Sequence, residues 1–264
     1  MKTEQRLHNL RLRKAIPFRS LIPNAITLAA LCFGLTGVRL AIGGDFEKAL
    51  AAVVTAGILD GLDGRVARLL KGTSRFGAEL DSLSDLTAHG VAPALIVYLW
   101  SLNTLPGVGW LIALTHAACC ALRLARFNAA FDTEDGPMKK AGFFTGVPAP
   151  LGAGLTLLPL TFWLWLGYDV FREPLFVGVF VVTTALLMIS SLPTWSWGKL
   201  RIKPEWRLFA LAFVAVIAGG LFSAPWMTLS LIGVAYVISI PFSYLSYQQV
   251  RRRNAKPTPA PDAP

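Results

Sequence analysis

The sequence predicts an all-α, polytopic integral membrane bundle of about eight transmembrane helices, and three observations predict it. Hydrophobic residues make up 54% of the 264 and charged residues 15%, with a mean hydropathy of +0.55, too apolar for a soluble domain. Apolar runs recur at about 22–42, 46–70, 78–101, 107–129, 146–167, 174–192, 206–223 and 226–247. Each approaches the ~20 residues that a helix needs to cross the hydrocarbon core. Basic residues alternate with those runs. Of the 25 Lys and Arg residues, only Arg39, Lys48 and Arg172 fall near the odd-numbered connections. The positive-inside rule therefore puts both termini in the cytoplasm, with the chain a multi-pass protein of the cell (inner) membrane.

Residues 1–21 form a basic juxtamembrane segment, either a short helix on the anionic inner leaflet or a loose positive arm. No apolar core with a small-residue cleavage site follows it, so no signal peptide is expected. The first six runs, 22–192, form the main bundle. Residues 193–247 add two helices behind a basic connection that includes Lys199, Arg201 and Lys203, and 248–264 is a proline-rich tail expected to be disordered. Cys32, Cys119 and Cys120 are an odd number and all lie in apolar segments, which excludes a disulfide framework and a zinc site. The net charge of +10 falls in short blocks rather than one patch, so no nucleic-acid partner is expected. No internal repeat supports an inverted-repeat transporter.

Four aspartates break the apolar pattern: Asp60 and Asp63 in the second run, Asp81 and Asp85 in the third. A carboxylate at mid-bilayer costs about 2.5 to 3.5 kcal/mol on insertion scales, so four together require an offsetting cation. At spacings of i, i+3 and i, i+4, each pair shares one helix face. A short turn near Gly72-Thr73-Ser74 lets the two faces meet. The result is a pocket for one or two hard divalent ions, and oxygen-only ligands select magnesium, manganese or calcium over zinc or copper. Gly61, Gly64, Ala67 and Gly77 keep neighbouring positions open for a bulky ligand, although small residues also serve close helix packing. Internal ion pairs with Arg65, Arg68, Arg75 or Arg123 would neutralise an acid or two, but give no reason for two same-face pairs at a hairpin. Proton relays and cation pathways use intramembrane carboxylates as well, so transport remains a competitor on physics alone.

From Asp60 to Asp85 the chain reads D-x2-D-G-x2-A-R-x8-G-x3-D-x3-D. This resembles the signature of the CDP-alcohol phosphatidyltransferase family, membrane enzymes of phospholipid synthesis. Pro23-Asn24-Ala25-Ile26-Thr27 resembles the family's opening segment. The stretches Glu79–Asp85 running into His89-Gly90-Val91-Ala92-Pro93, Ala121–Asn128, and Phe143–Pro150 are similar to its phosphatidylserine synthase branch. The resemblance covers about 20–150 well.

It implies transfer of a phosphatidyl group from CDP-diacylglycerol to L-serine, releasing CMP, in a cytosol-facing chamber of the six-helix core. It implies that Asp60, Asp63 and Asp81 ligand a pair of Mg2+ or Mn2+ ions bridging the diphosphate, with Asp85 completing the site and acting as general base. Gly64, Ala67 and Gly77 would admit the cytidine nucleotide, Arg68 would help hold it, and Asn24 and Thr27 would add contacts from the first span. A homodimer embedded in membrane lipid is expected from the family. Sister enzymes with glycerol 3-phosphate, inositol phosphate or choline as acceptor share the metal motif.

On the acceptor side, Arg123 and Arg126 are one turn apart, and either can bind the serine carboxylate in a bidentate fork. Asn128 and Thr145 would supply neutral contacts. The alternative makes both arginines topology anchors or ligands for lipid phosphate. His89, one turn beyond Asp85, could tune it, although a packed histidine is the stronger reading, and His116, mid-span without a partner in sequence, is read as incidental.

Overall fold

The computed structural model describes residues 18–129, 143–195 and 204–254. The expectations for the N-terminal arm, for Lys199, Arg201 and Lys203 and for the last ten residues lie outside that range. Helix α1 (Phe18–Ile42) turns back at Gly43-Gly44 into α2 (Phe46–Leu69), whose first turn is capped by Asp45 accepting from the Lys48 amide. Gly44 has φ +80°, a backbone that favours glycine. After a tight turn, Ser74 caps α3 (Arg75–Asp85) by accepting from the Gly77 amide at 3.0 Å.

The third predicted run is not one regular helix. A π turn over Leu86–Val91 separates α3 from α4 (Ala92–Trp100). Pro93 lies in the first turn of α4 and has no amide hydrogen, so the His89 carbonyl cannot take an α-helical bond from it. The fifth predicted run also breaks. Here α6 (Ala149–Thr156) and α7 (Leu158–Leu166) meet at a 42° bend beside Pro159. The remaining long elements are α5 (Val108–Ala129), α8 (Pro174–Ile189), α9 (Arg207–Ser223) and α10 (Pro225–Asn254). The segment 248–264, expected to be disordered, is helical as far as Asn254. An antiparallel pair, β1 (Phe143–Thr145) with β2 (Pro193–Trp195), adds a small exception to the all-α expectation.

This is a helical membrane protein. Arg19–Ile42, Val108–Ala129 and Pro225–Val250 are long and apolar enough to cross a bilayer, and the bent α6–α7 pair makes a fourth candidate. Shorter apolar helices cover 174–189 and 207–223, while α2 and α3–α4 carry the acidic residues.

Helix α1 packs chiefly on α2 and also supports α3 and α4. An added Cβ at Gly34 would come within 2.9 Å of the Ala88 Cα, so glycine is what lets these helices close. One core cluster, around Leu50, Val53, Ile96, Trp100 and Leu160, fills the bundle at the ends of α2 and α3–α4 remote from the aspartates. A second, around Cys120, Val147, Leu158 and Met188, joins α5, α6, α7 and α8. Outward faces stay apolar, as contact with lipid chains requires: Leu208, Phe209, Leu211 and Phe222 on α9 are all exposed. No residue of α9 is buried.

Candidate active site

A cavity of about 510 Å³ opens where α1, α2 and α3 converge. Its wall includes Asn24, Thr27, Asp60, Asp63, Gly64, Ala67, Arg68, Gly77, Asp81 and Asp85. These are the residues the sequence offered for metal and nucleotide, drawn from three helices into one chamber. Pro23, Gly61, Gly72, Thr73, Ser74 and Ala78 complete the lining, most of them from the turn and helix starts that flank the motif.

The hairpin of α2 and α3 brings the aspartates together. Ligand oxygens of Asp60, Asp63 and Asp81 lie within 4.8 Å of one another. A second group, Asp60, Asp85 and His89, meets the same limit, so Asp60 belongs to both. The donor set fits a hard divalent cation: carboxylates with no Lys or Arg ion pair among the described residues, at spacings one ion can span. The internal ion-pair alternative is therefore not what the chain builds.

Helix α1 holds this arrangement from behind. Thr27 Oγ1 donates to Asp63 Oδ2 at 2.5 Å, and the Thr27 carbonyl accepts from Ser84 Oγ at 3.0 Å. One residue thus ties both halves of the hairpin. Asn24 is buried, and its Oδ1 lies 3.0 Å from where a Cβ on Gly77 would stand. A side chain at 77 would collide with it and with Ser74 Oγ. Gly61 has open space at its missing Cβ, and Gly64 meets only the Arg68 guanidinium, at 3.7 Å. Gly61 and Gly64 thus leave room at the cavity, whereas Gly77 admits the Asn24 and Ser74 side chains.

The four acceptor-side residues stand apart, and none lines the cavity. Arg126 donates to the Ile189 and Ser190 carbonyls at 2.9 and 3.2 Å, which satisfies the C-terminus of α8. Its fork is occupied by backbone, which leaves Arg123 as the other of the two arginines offered for the serine carboxylate. Arg123 is different: its Nε is buried without a hydrogen-bond partner, the guanidinium lies 6.0 Å from the Phe127 ring centre, and Asp85 is within electrostatic reach. Asn128 Nδ2 donates to Ser82 Oγ at 2.9 Å, tying the end of α5 to α3. Thr145 is exposed on β1 opposite Pro193.

Two histidines gain partners, of which the sequence offered Asp85 for His89 but neither Asp60 nor those of His116. His89 is buried, with Nε2 3.6 Å from both Asp60 Oδ2 and Asp85 Oδ1. The signal was the one-turn spacing from Asp85, which also suits a packed side chain. His116 is not incidental: its Nε2–H donates to the His89 carbonyl at 3.3 Å, leaving Nδ1 to accept from Thr156 Oγ1 at 3.0 Å. Nothing in the local sequence around His116 points to residues 27 and 40 positions away.

A carboxylate pocket that can hold cations, lining a cavity of a helical membrane bundle, defines a class of site suited to phosphorylated ligands. Residues 20–197 match the model of the CDP-alcohol phosphatidyltransferase family, and 205–241 match a second one, described as CDP-alcohol phosphatidyltransferase 2. A CDP-diacylglycerol–serine O-phosphatidyltransferase of Mycobacterium tuberculosis (strain ATCC 25618 / H37Rv) is 38% identical over 86% of this chain and 79% of its own. One of Helicobacter pylori (strain J99 / ATCC 700824) is 35% identical over 83% and 88%. One of the archaeon Methanocaldococcus jannaschii is 31% identical over 75% and 84%. The chain belongs to the CDP-alcohol phosphatidyltransferase family.

Proposed function

We propose that the chain transfers the phosphatidyl group of CDP-diacylglycerol to the hydroxyl of L-serine, giving phosphatidylserine and CMP. The observation that carries this is the likeness to relatives of that name across most of the chain's length. The cavity supports it with a cation-capable acidic wall and a volume of about 510 Å³.

Asp60, Asp63 and Asp81 would hold one Mg2+ or Mn2+, and Asp60 with Asp85 would share a second. When bound, the cations would neutralise the diphosphate and stabilise the departing CMP. The chain's own residues do the rest. Gly64, Ala67 and Gly77 leave the cytidine face clear, Arg68 offers it a charge, and Asn24 and Thr27 contribute from α1. Asp85 Oδ1 is fully buried, so Oδ2 is the oxygen turned toward the cavity, where it accepts the serine proton. The serine oxygen forms a bond to the β-phosphorus as the bond to the CMP oxygen breaks, in one in-line displacement. Arg123, whose Nε is free of hydrogen bonds, is the better arginine for the serine carboxylate, with Asn128 and Thr145 near the same end of the bundle.

The chamber would face the cytoplasm, with both termini on that side of the inner membrane and eight spans between them. Helices within 22–192 would form the catalytic core, 193–247 a peripheral pair, and two chains a homodimer.

An acceptor panel tests the reading. With CDP-diacylglycerol in mixed micelles, CMP release should require serine and a divalent cation and should stop on adding chelator. Release with glycerol 3-phosphate, inositol phosphate or choline, and none with serine, would reassign the acceptor.

A further inference from the structure

We infer that His89 is a nitrogen ligand to the second cation position, which it shares with Asp60 and Asp85. This rests on reading the acidic pocket as a divalent-cation site. It gives the pocket two unlike positions: Asp60, Asp63 and Asp81 offer oxygen alone, while Asp60, Asp85 and His89 offer oxygen and imidazole.

The geometry supports three donors around a shared point rather than a hydrogen bond. His89 is 2% exposed, its Nε2 has no hydrogen-bond partner, and neither has Asp85 Oδ1 beside it. At 3.6 Å from each carboxylate oxygen, Nε2 is too far to donate to either. Ligands about 2.1 Å from one ion stand about 3.0 to 3.4 Å apart between right-angle and tetrahedral arrangements. The observed spacing is close to that. A buried nitrogen aimed at two carboxylates without touching them is what a cation between them would explain.

The backbone is built to hold this imidazole. His89 lies in the π turn, where residues four apart stack nearer to vertical than in an α-helix, so its ring comes over Asp85. The His89 carbonyl, deprived of a donor at Pro93, accepts instead from His116 Nε2–H, which fixes the His116 tautomer and leaves its Nδ1 to accept from Thr156. Gly57 of α2 adjoins the ring: a Cβ there would stand in ordinary contact, 3.6 Å from the imidazole Cε1. Imidazole favours Mn2+ and other transition ions over Ca2+, so this position should discriminate among divalent ions more sharply than its all-oxygen neighbour.

The test uses the full-length protein in lipid nanodiscs with Mn2+ as probe. Pulsed electron paramagnetic resonance should show modulation from a directly bound imidazole nitrogen in the unsubstituted protein. H89F should lose it and weaken the second Mn2+ by about tenfold or more, leaving the first in place. H116Q, which keeps His89, should retain the modulation. Bound Mn2+ without nitrogen modulation, or modulation that survives in H89F, overturns the assignment of His89 alone. Failure to bind Mn2+ at all overturns the metal reading of the pocket and this inference with it. The spectrum of the unsubstituted protein decides the matter even where a variant does not fold.

Discussion

The wall of the cavity and the C-terminal end of α5 make an instructive pair. Both carry polar residues singled out by type and spacing. At the cavity, seven such residues from α1, α2 and α3, with Gly64, Ala67 and Gly77 between them, line one chamber. At the end of α5, Arg126 is spent on the carbonyls that finish α8, Asn128 on a serine of α3, and only Arg123 keeps an unpartnered nitrogen. The difference is one of sequence distance. The short turn between α2 and α3 keeps their same-face residues near one another, and α1, which packs on both, holds those faces around one chamber. A residue at the end of α5 finds its partners across the bundle, where spacing says nothing.

Substitutions can sharpen or break this contrast. The largest effect belongs to Asp81→Asn: CMP release should fall below detection, and Mn2+ binding should weaken in the same preparation. Substantial turnover in that variant would remove the cavity from the chemistry. Asp85→Asn should lower turnover by roughly 10²- to 10⁴-fold while at least one cation still binds. Near-normal rates at saturating serine would mean the proton goes elsewhere.

Gly77→Leu, read by steady-state kinetics, should raise the KM for CDP-diacylglycerol at least about tenfold, equivalent to about 1.4 kcal/mol of lost binding. Gly61→Ala, placed where nothing crowds the missing Cβ, should change it little. At the other region, Arg123→Lys should raise the KM for serine about tenfold, because lysine cannot reproduce the fork. The smallest change is expected for Arg126→Lys: unaltered serine KM and a stability loss of about 1 kcal/mol in thermal unfolding. Equal effects of the two arginine variants on serine KM would dissolve the distinction drawn here.

Much of this was legible in the chain itself. Apolar runs gave the positions of the helices because a bilayer tolerates few alternatives to them. The spacing of Asp60, Asp63, Asp81 and Asp85 gave a shared pocket because helical periodicity and a short turn leave those side chains little else to face. Local breaks were less visible. Pro93 and Pro159 mark where α3–α4 and α6–α7 depart from straight rods, yet proline alone does not say whether a helix bends, widens or ends.

Tertiary structure alone decided who stands behind whom. Thr27 reaching Asp63, His116 reaching the His89 carbonyl, and β1 pairing with β2 all join residues at least 27 positions apart. Such contacts follow from how whole helices pack, which is the sum of many small apolar contacts rather than the property of any one residue. That is why the same two features, an arginine and a histidine one turn from a motif, became a helix cap in one place and a prospective ligand in the other.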